Sequence, residues 1–151
     1  MRLTIYTDYT LRTLMYLAAR PDRVATIAEI ARAYGISEAH LTKVVHQLGV
    51  SGEIETTRGR NGGLQLRLPA ADINLGTVVR RTEGDMELVP CFREPTACVI
   101  GGACALERAL DQALAAFLAV LDRYTLADLV APGHAAARLL QAMPAALAPG
   151  D

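Results

Sequence analysis

The residues with most chemistry to offer are three cysteines, Cys91, Cys98 and Cys104, spaced C-x6-C-x5-C in a stretch rich in proline and glycine. They are the only cysteines in 151 residues, so they cannot all pair within one chain. Structural cysteines are usually scattered through a core, whereas a loop of this composition can wrap its thiolates around a metal centre. Zinc prefers four protein ligands, often in close Cys-x2-Cys pairs, and no such pair exists here. Thiolates also suit iron–sulfur clusters, which normally take four ligands. Three thiolates leave one position to another residue. A carboxylate there would be a harder, more weakly held ligand, leaving one iron accessible, as a sensor requires. Spacing alone leaves a cluster, a zinc site and plain redox thiols all open.

A second group of residues suits nucleic acid. Ser37, Glu38, Ala39, His40 and Lys43 lie at the start of a predicted helix, on the side left outward by Leu41, Val44, Val45 and Leu48. The N-terminal end of a recognition helix faces base edges in the major groove, which makes these five the candidates for readout. Arg58, Arg60, Asn61 and Gly62 fall in a predicted hairpin tip, where guanidinium groups can enter a minor groove or pair with phosphates while glycines let the backbone approach.

The elements that must position these residues follow from periodicity. A first helix is expected from Asp8 to Arg20, with Asp8 as cap or first-turn acid and Leu11, Leu14, Met15 and Ala18 at helical spacing. A second runs from Thr26 to Tyr34 with a capping-box pattern, Thr26 and Glu29, and inward residues Ile27, Ile30 and Ala31. Gly35 supplies the turn to a third, capped by Ser37 and ending near Val50. Two helices across a short glycine turn make a helix-turn-helix. Beyond Gly52 the period becomes two: Glu53–Arg58 and Leu64–Leu68 read as strands joined by Gly59-Arg60-Asn61-Gly62-Gly63, with Asn61-Gly62 the hairpin signal. A fourth helix is expected from Asn74 to Glu83 and a long one from Ala105 to about Asp128. The long helix carries apolar residues on more than one face, which calls for burial against a second copy of the chain.

The expected fold class is therefore mainly α with a small β-hairpin: a winged helix-turn-helix DNA-binding domain over residues 1–72, and a cluster-binding loop with a long dimerisation helix over 73–130. The tail, 131–151, carries no pattern and is expected to lack fixed structure. Residues 1–70 hold nine Lys/Arg against six Asp/Glu and residues 71–151 six against ten, so a net charge of −1 covers a positive first half and a negative second. No secretory leader and no apolar run of roughly 18–20 residues is present, which predicts a cytoplasmic protein with no membrane partner. No Ser/His/Asp set, phosphate loop or paired catalytic carboxylates stands out, so an enzyme is not expected.

Thr7-Asp8-Tyr9 with Leu11-Arg12, the wing Arg58-Gly59-Arg60-Asn61-Gly62-Gly63, the cysteine loop and Leu121-Asp122-Arg123-Tyr124-Thr125-Leu126-Ala127-Asp128-Leu129 resemble the NsrR type of nitric-oxide-sensing repressor. The wider group of that type includes IscR. The resemblance covers about residues 1–130, with its motifs in the expected order. It implies a homodimeric repressor on double-stranded operator DNA. Its iron–sulfur cluster, 4Fe–4S with 2Fe–2S as the alternative, would be held by Cys91, Cys98 and Cys104 and answer to nitric oxide. It also maps the oxygen ligand onto Asp8 of the partner subunit, and Arg12, one turn on, would pair with Asp8 when that carboxylate is off iron. IscR-like proteins use a histidine with three cysteines, and none of His40, His46 and His134 lies near the cysteine loop in sequence. The alternatives are a general iron–sulfur or redox regulator of the IscR type and a zinc-stabilised winged-helix protein.

Overall fold

The computed structural model describes residues 2–60, 62–94, 98–100, 103–131 and 135–143. Its first helix, α1, spans Ile5–Ala18. The cap is Thr4, whose hydroxyl accepts from the Thr7 N–H at 3.2 Å, so the helix begins three residues before the expected Asp8. The reason lies far along the chain. The carboxylate of Glu83 accepts from the Thr4 backbone N–H at 2.9 Å and its hydroxyl at 3.1 Å, placing an anion where the helix dipole favours one. Asp8 is instead in the first turn. The buried face of α1 includes Thr7, Thr10 and Thr13 beside Leu14, Tyr16 and Leu17. Thr10 and Thr13 return their hydroxyl protons to the carbonyls of Tyr6 and Tyr9 at 2.8 and 2.7 Å, so these short side chains bury no unmet donor.

Helix α2 is Ile27–Tyr34 and α3 is Glu38–Ser51. Between them Gly35 adopts φ 64°, the left-handed conformation in which glycine alone carries no Cβ penalty. Ile30, Ala31, Leu41, Val44, Val45 and Leu48 enter the common core as their spacing predicts, and Ile27 packs at its edge. Ser37 stands at the α3 N-cap but its side chain makes no capping hydrogen bond. The expected capping box of α2 is half made. The Thr26 hydroxyl accepts from the Glu29 N–H at 3.1 Å, but the Glu29 carboxylate turns inward. There it accepts from the Tyr16 hydroxyl at 2.5 Å and from both terminal nitrogens of Arg23.

Strands β1 (Ile54–Thr57) and β2 (Gly63–Leu66) pair antiparallel, Ile54 opposite Leu66 and Thr57 opposite Gly63, which leaves residues 58–62 as the wing loop. Ala25 bridges to Leu64, tying the approach to α2 onto the wing. Helix α4 is Leu75–Glu83, capped by Asn74. A 3-10 turn at Pro90–Phe92 carries Cys91 and opens the cysteine loop, and α5 runs Ala105–Leu121.

The expected single helix to Asp128 is broken, and a short α6, Leu126–Leu129, follows. The break is made by α4 and its N-cap. Asn74 donates from Nδ2 to the Asp122 carbonyl at 2.8 Å, and Arg80 holds the Asp122 carboxylate with two bonds of 2.6 and 2.7 Å. Thr125 and Asp128 then form the capping box that starts α6 and buries Leu126 in the core. The tail also differs from expectation: Ala135–Ala142 form a helix, α7, while residues 132–134 and 144–151 lie outside the described residues. No helix among the described residues is long and apolar enough to cross a membrane.

Burial pushes the Glu29 carboxyl up, but the hydrogen bonds from Arg23 and Tyr16 outweigh it and hold Glu29 below its ordinary value. A depressed carboxyl contributes stability above its unfolded value and loses it as pH falls through the folded one. Glu29→Gln should therefore lower thermal stability at neutral pH by about 1–3 kcal/mol, from the lost charge on buried hydrogen bonds. That deficit should shrink towards zero as pH drops below the carboxylate range, which thermal melts across pH will check.

Candidate nucleic-acid interface and cysteine loop

The outward side of α3 presents Glu38, Ala39, His40 and Lys43, all exposed, with Ser37 exposed just before them. The turn at Gly35 and the buried stripe of α3 together aim this side away from the core. The His40 ring lies 6.3 Å from that of Tyr9, tilted by 45°, and both line an apolar cleft between α1 and α3 with Ile5, Tyr6, Lys43 and Val44. Tyr9 is a contact that helical spacing alone did not single out. Its place beside Asp8, one residue from the buried Thr10, was the available signal.

At the wing tip Arg58 and Arg60 are exposed on a loop closed by the Gly62 N–H donating to the Gly59 carbonyl at 2.9 Å. Gly62 has no room for a side chain, because a Cβ there would meet the Thr57 carbonyl oxygen at 2.2 Å. Asn61 lies outside the described residues. The reading-helix positions and the wing arginines thus sit on two exposed features of one head, while the wing's inner residues Ile54 and Leu64 are buried in its core.

The cysteines occupy the other part of the chain. Cys91 is half-buried in the 3-10 turn, Cys98 is exposed, and Cys104 is half-buried as the N-cap residue of α5. All three are free thiols. Residues 95–97 and 101–102 of the loop lie outside the described residues. Among the described residues, no three His, Cys, Asp or Glu side chains are gathered closely enough to hold a metal ion. The donor chemistry nonetheless fits an iron–sulfur centre: three soft, unpaired sulfurs lie close together in the sequence, one of them on the N-cap residue of α5.

Asp8 stands on α1 and is paired with Arg12, whose Nε donates to its carboxylate at 2.9 Å; both side chains are 44% exposed. The Arg12 guanidinium also lies 5.7 Å from the Tyr34 ring. The carboxylate is thus within reach of solvent, on a surface pair whose strength is modest.

Helix α5 has no buried residue in one chain, although it is rich in leucine, alanine and valine; Leu106 and Val120 are exposed. The described architecture is a winged-helix head joined to a helical arm that carries the cysteines, the class of a DNA-binding transcriptional regulator rather than an enzyme. Residues 3–132 match the Rrf2 family, described as iron-dependent transcriptional regulators, and the chain belongs to that family. It is similar to the HTH-type transcriptional regulator NsrR of Bacillus subtilis (strain 168), with 52% identity over 132 residues, 86% of this chain and 90% of that protein. The NsrR regulator of Geobacillus kaustophilus (strain HTA426) is 52% identical over the same shares. Among solved structures, CymR, the global cysteine regulator of B. subtilis, superposes with a TM-score of 0.71 at 26% identity, covering 85% of this chain and 95% of that one. The IscR of T. potens shares the fold, with a TM-score of 0.71 at 21% identity and 89% of each chain covered.

Gly62→Ala should force the wing loop to reshape and cost about 1–3 kcal/mol of stability, as overpacking against rigid backbone does. Gly49→Ala, inside α3 with nothing within 4 Å of its Cβ position, should instead be neutral or stabilise by about 0.4–1 kcal/mol. Chemical denaturation of the two variants compares them directly.

Proposed function

We propose that the chain is a nitric-oxide-responsive repressor of the NsrR type, binding operator DNA as a homodimer under control of an iron–sulfur cluster. In this reading residues 1–72 read DNA, 73–130 hold the cluster and the dimer contact, and the protein works in the cytoplasm. Cys91, Cys98 and Cys104 hold the cluster, 4Fe–4S in preference to 2Fe–2S, with Asp8 of the partner subunit as the oxygen ligand. The observation that carries it is the position of Cys104: the thiol is on the N-cap residue of α5, a helix on which Leu110, Leu114, Phe117 and Leu118 are only partly covered and Leu106 and Val120 are exposed within one chain. One thiol of the set is thus joined directly to the helix whose surface a second copy would cover. The half-exposed Asp8 and the family description as iron-dependent regulators support the same reading.

The bound cluster would supply an iron that nitric oxide can reach. The rest is work for this chain's side chains. Arg12 competes for Asp8, so the carboxylate has a partner at 2.9 Å whenever it is not a ligand. A carboxylate engaged by the other subunit fixes α1, and with it the head, relative to the dimer axis. Two recognition helices must match half-sites about 34 Å apart, so freeing α1 lets that separation drift. A coupling of about 1–3 kcal/mol accounts for a 5–150-fold loss of operator affinity. Ser37, Glu38, Ala39, His40 and Lys43 read base edges, while Arg58, Arg60, Asn61 and Gly62 follow the backbone at the wing.

Two measurements test this. Protein purified without oxygen should contain about four iron and four sulfide per subunit and a visible band bleached by added nitric oxide. Zinc in place of iron, or a cluster that nitric oxide leaves unchanged, would overturn the reading in favour of the zinc-stabilised or IscR-type alternative. Replacing Arg58 and Arg60 together by alanine should lower operator affinity and reduce the slope of log K against log salt by about 2, with melting temperature unchanged. An unchanged slope would remove the wing arginines from the interface.

A further inference from the structure

The match to the family ends at residue 132, and α7 lies beyond it. An eight-residue helix is too short to persist alone in water, so its neighbours must supply what holds it. Its last turn is held by one side chain. Arg20, just past the end of α1, is only 9% exposed and donates through Nη2 to the carbonyl of Leu140 and, at 3.0 Å, to that of Met143. Carbonyls at a helix C-terminus lack intrahelical donors and carry the negative end of the dipole, so a cation there meets both needs. Leu140 is 6% exposed and Met143 packs against the core of the head.

The site on the head is built. The Arg20 guanidinium lies over the Tyr16 ring, 3.9 Å from its centre, and the Tyr16 hydroxyl donates to Glu29, which Arg23 also holds. A planar guanidinium can stack on the ring and still present its fork to two carbonyls, which an ammonium cannot do. Arg20, Tyr16, Glu29 and Arg23 thus form one continuous set of contacts linking the end of α1, the start of α2 and the end of α7. Arg20 Nη1 is buried with no hydrogen-bond partner among the described residues, and Nη2 finds its acceptors there in the carbonyls of Leu140 and Met143.

We propose that residues 135–143 are an intramolecular strap, seated on the reading head by Arg20 and Leu140, that braces the junction of α1 and α2. The occupant of this face of the head is the chain's own tail, and the strap stiffens α1 from the end opposite Asp8.

Hydrogen–deuterium exchange on the full chain tests it, comparing wild type with Arg20→Met and Leu140→Asp. Amides of residues 139–143 should be protected in wild type and exchange at least about tenfold faster in both variants, while α3 keeps its protection. The end of α1 should also exchange faster in both. Equal exchange of 139–143 in all three proteins would overturn the strap. If Arg20→Met also exposes α3, the head itself has loosened, and Leu140→Asp decides: its change lies on the tail, so retained protection of 139–143 there contradicts the proposal.

Discussion

Helix α1 is the constraint on which the rest of the head depends. It touches α3, α4, α6 and β2, and it does so through a face of threonines and one tyrosine as much as through leucines. Short hydroxyl side chains let neighbouring backbones approach closely, and each buried hydroxyl proton has a carbonyl, hydroxyl or carboxylate to meet it. A helix packed this tightly on several sides moves only with its neighbours. That property makes α1 suited to carrying a signal: Asp8 stands on its first turns, the reading helix lies against its flank, and Arg20 anchors its far end.

Two long-range anchors fix where α1 begins and what surrounds it. Glu83 comes from the end of α4 to hold the α1 N-terminus, and Arg81 on the same helix reaches the buried Glu53 at the base of the wing. The arm that bears the cysteines therefore meets the head at α4, whose N-cap Asn74 and last-turn Arg80 both bind Asp122, where α5 ends. Head and arm share α4 as their joint: it packs against α1 and α5, and its Arg81 holds Glu53 at the base of the wing.

Much of this is legible in the sequence where the controlling forces are local. The α3 stripe, the Gly35 turn, the Thr26 cap and the wing strands follow from spacing and from what glycine and short polar side chains do. What escapes local reading is settled by distant partners. Thr4 rather than Asp8 caps α1 because Glu83, 79 residues away, completes the site. Glu29 abandons the second half of a capping box because Tyr16 and Arg23 offer its carboxylate a better-matched, buried pairing. The α5 break and the α7 helix were illegible for the same reason, since Asn74 and Arg20 act across 48 and 120 residues. Of the site residues, the reading-helix positions and wing arginines are exposed as expected, and the cysteines are free thiols. That Arg12 stands paired with Asp8 shows the carboxylate has somewhere to go within its own chain.

The central claim is that the state of the cysteine site reaches DNA through Asp8 and α1. The most direct measurement is operator affinity of cluster-loaded protein before and after nitric oxide, for wild type and for Asp8→Ala under the same anaerobic conditions. The account predicts a 5–150-fold loss in the wild type. It also predicts that Asp8→Ala, still containing iron and sulfide, starts weaker and changes little. A variant that keeps its cluster and shows the full wild-type loss would contradict it.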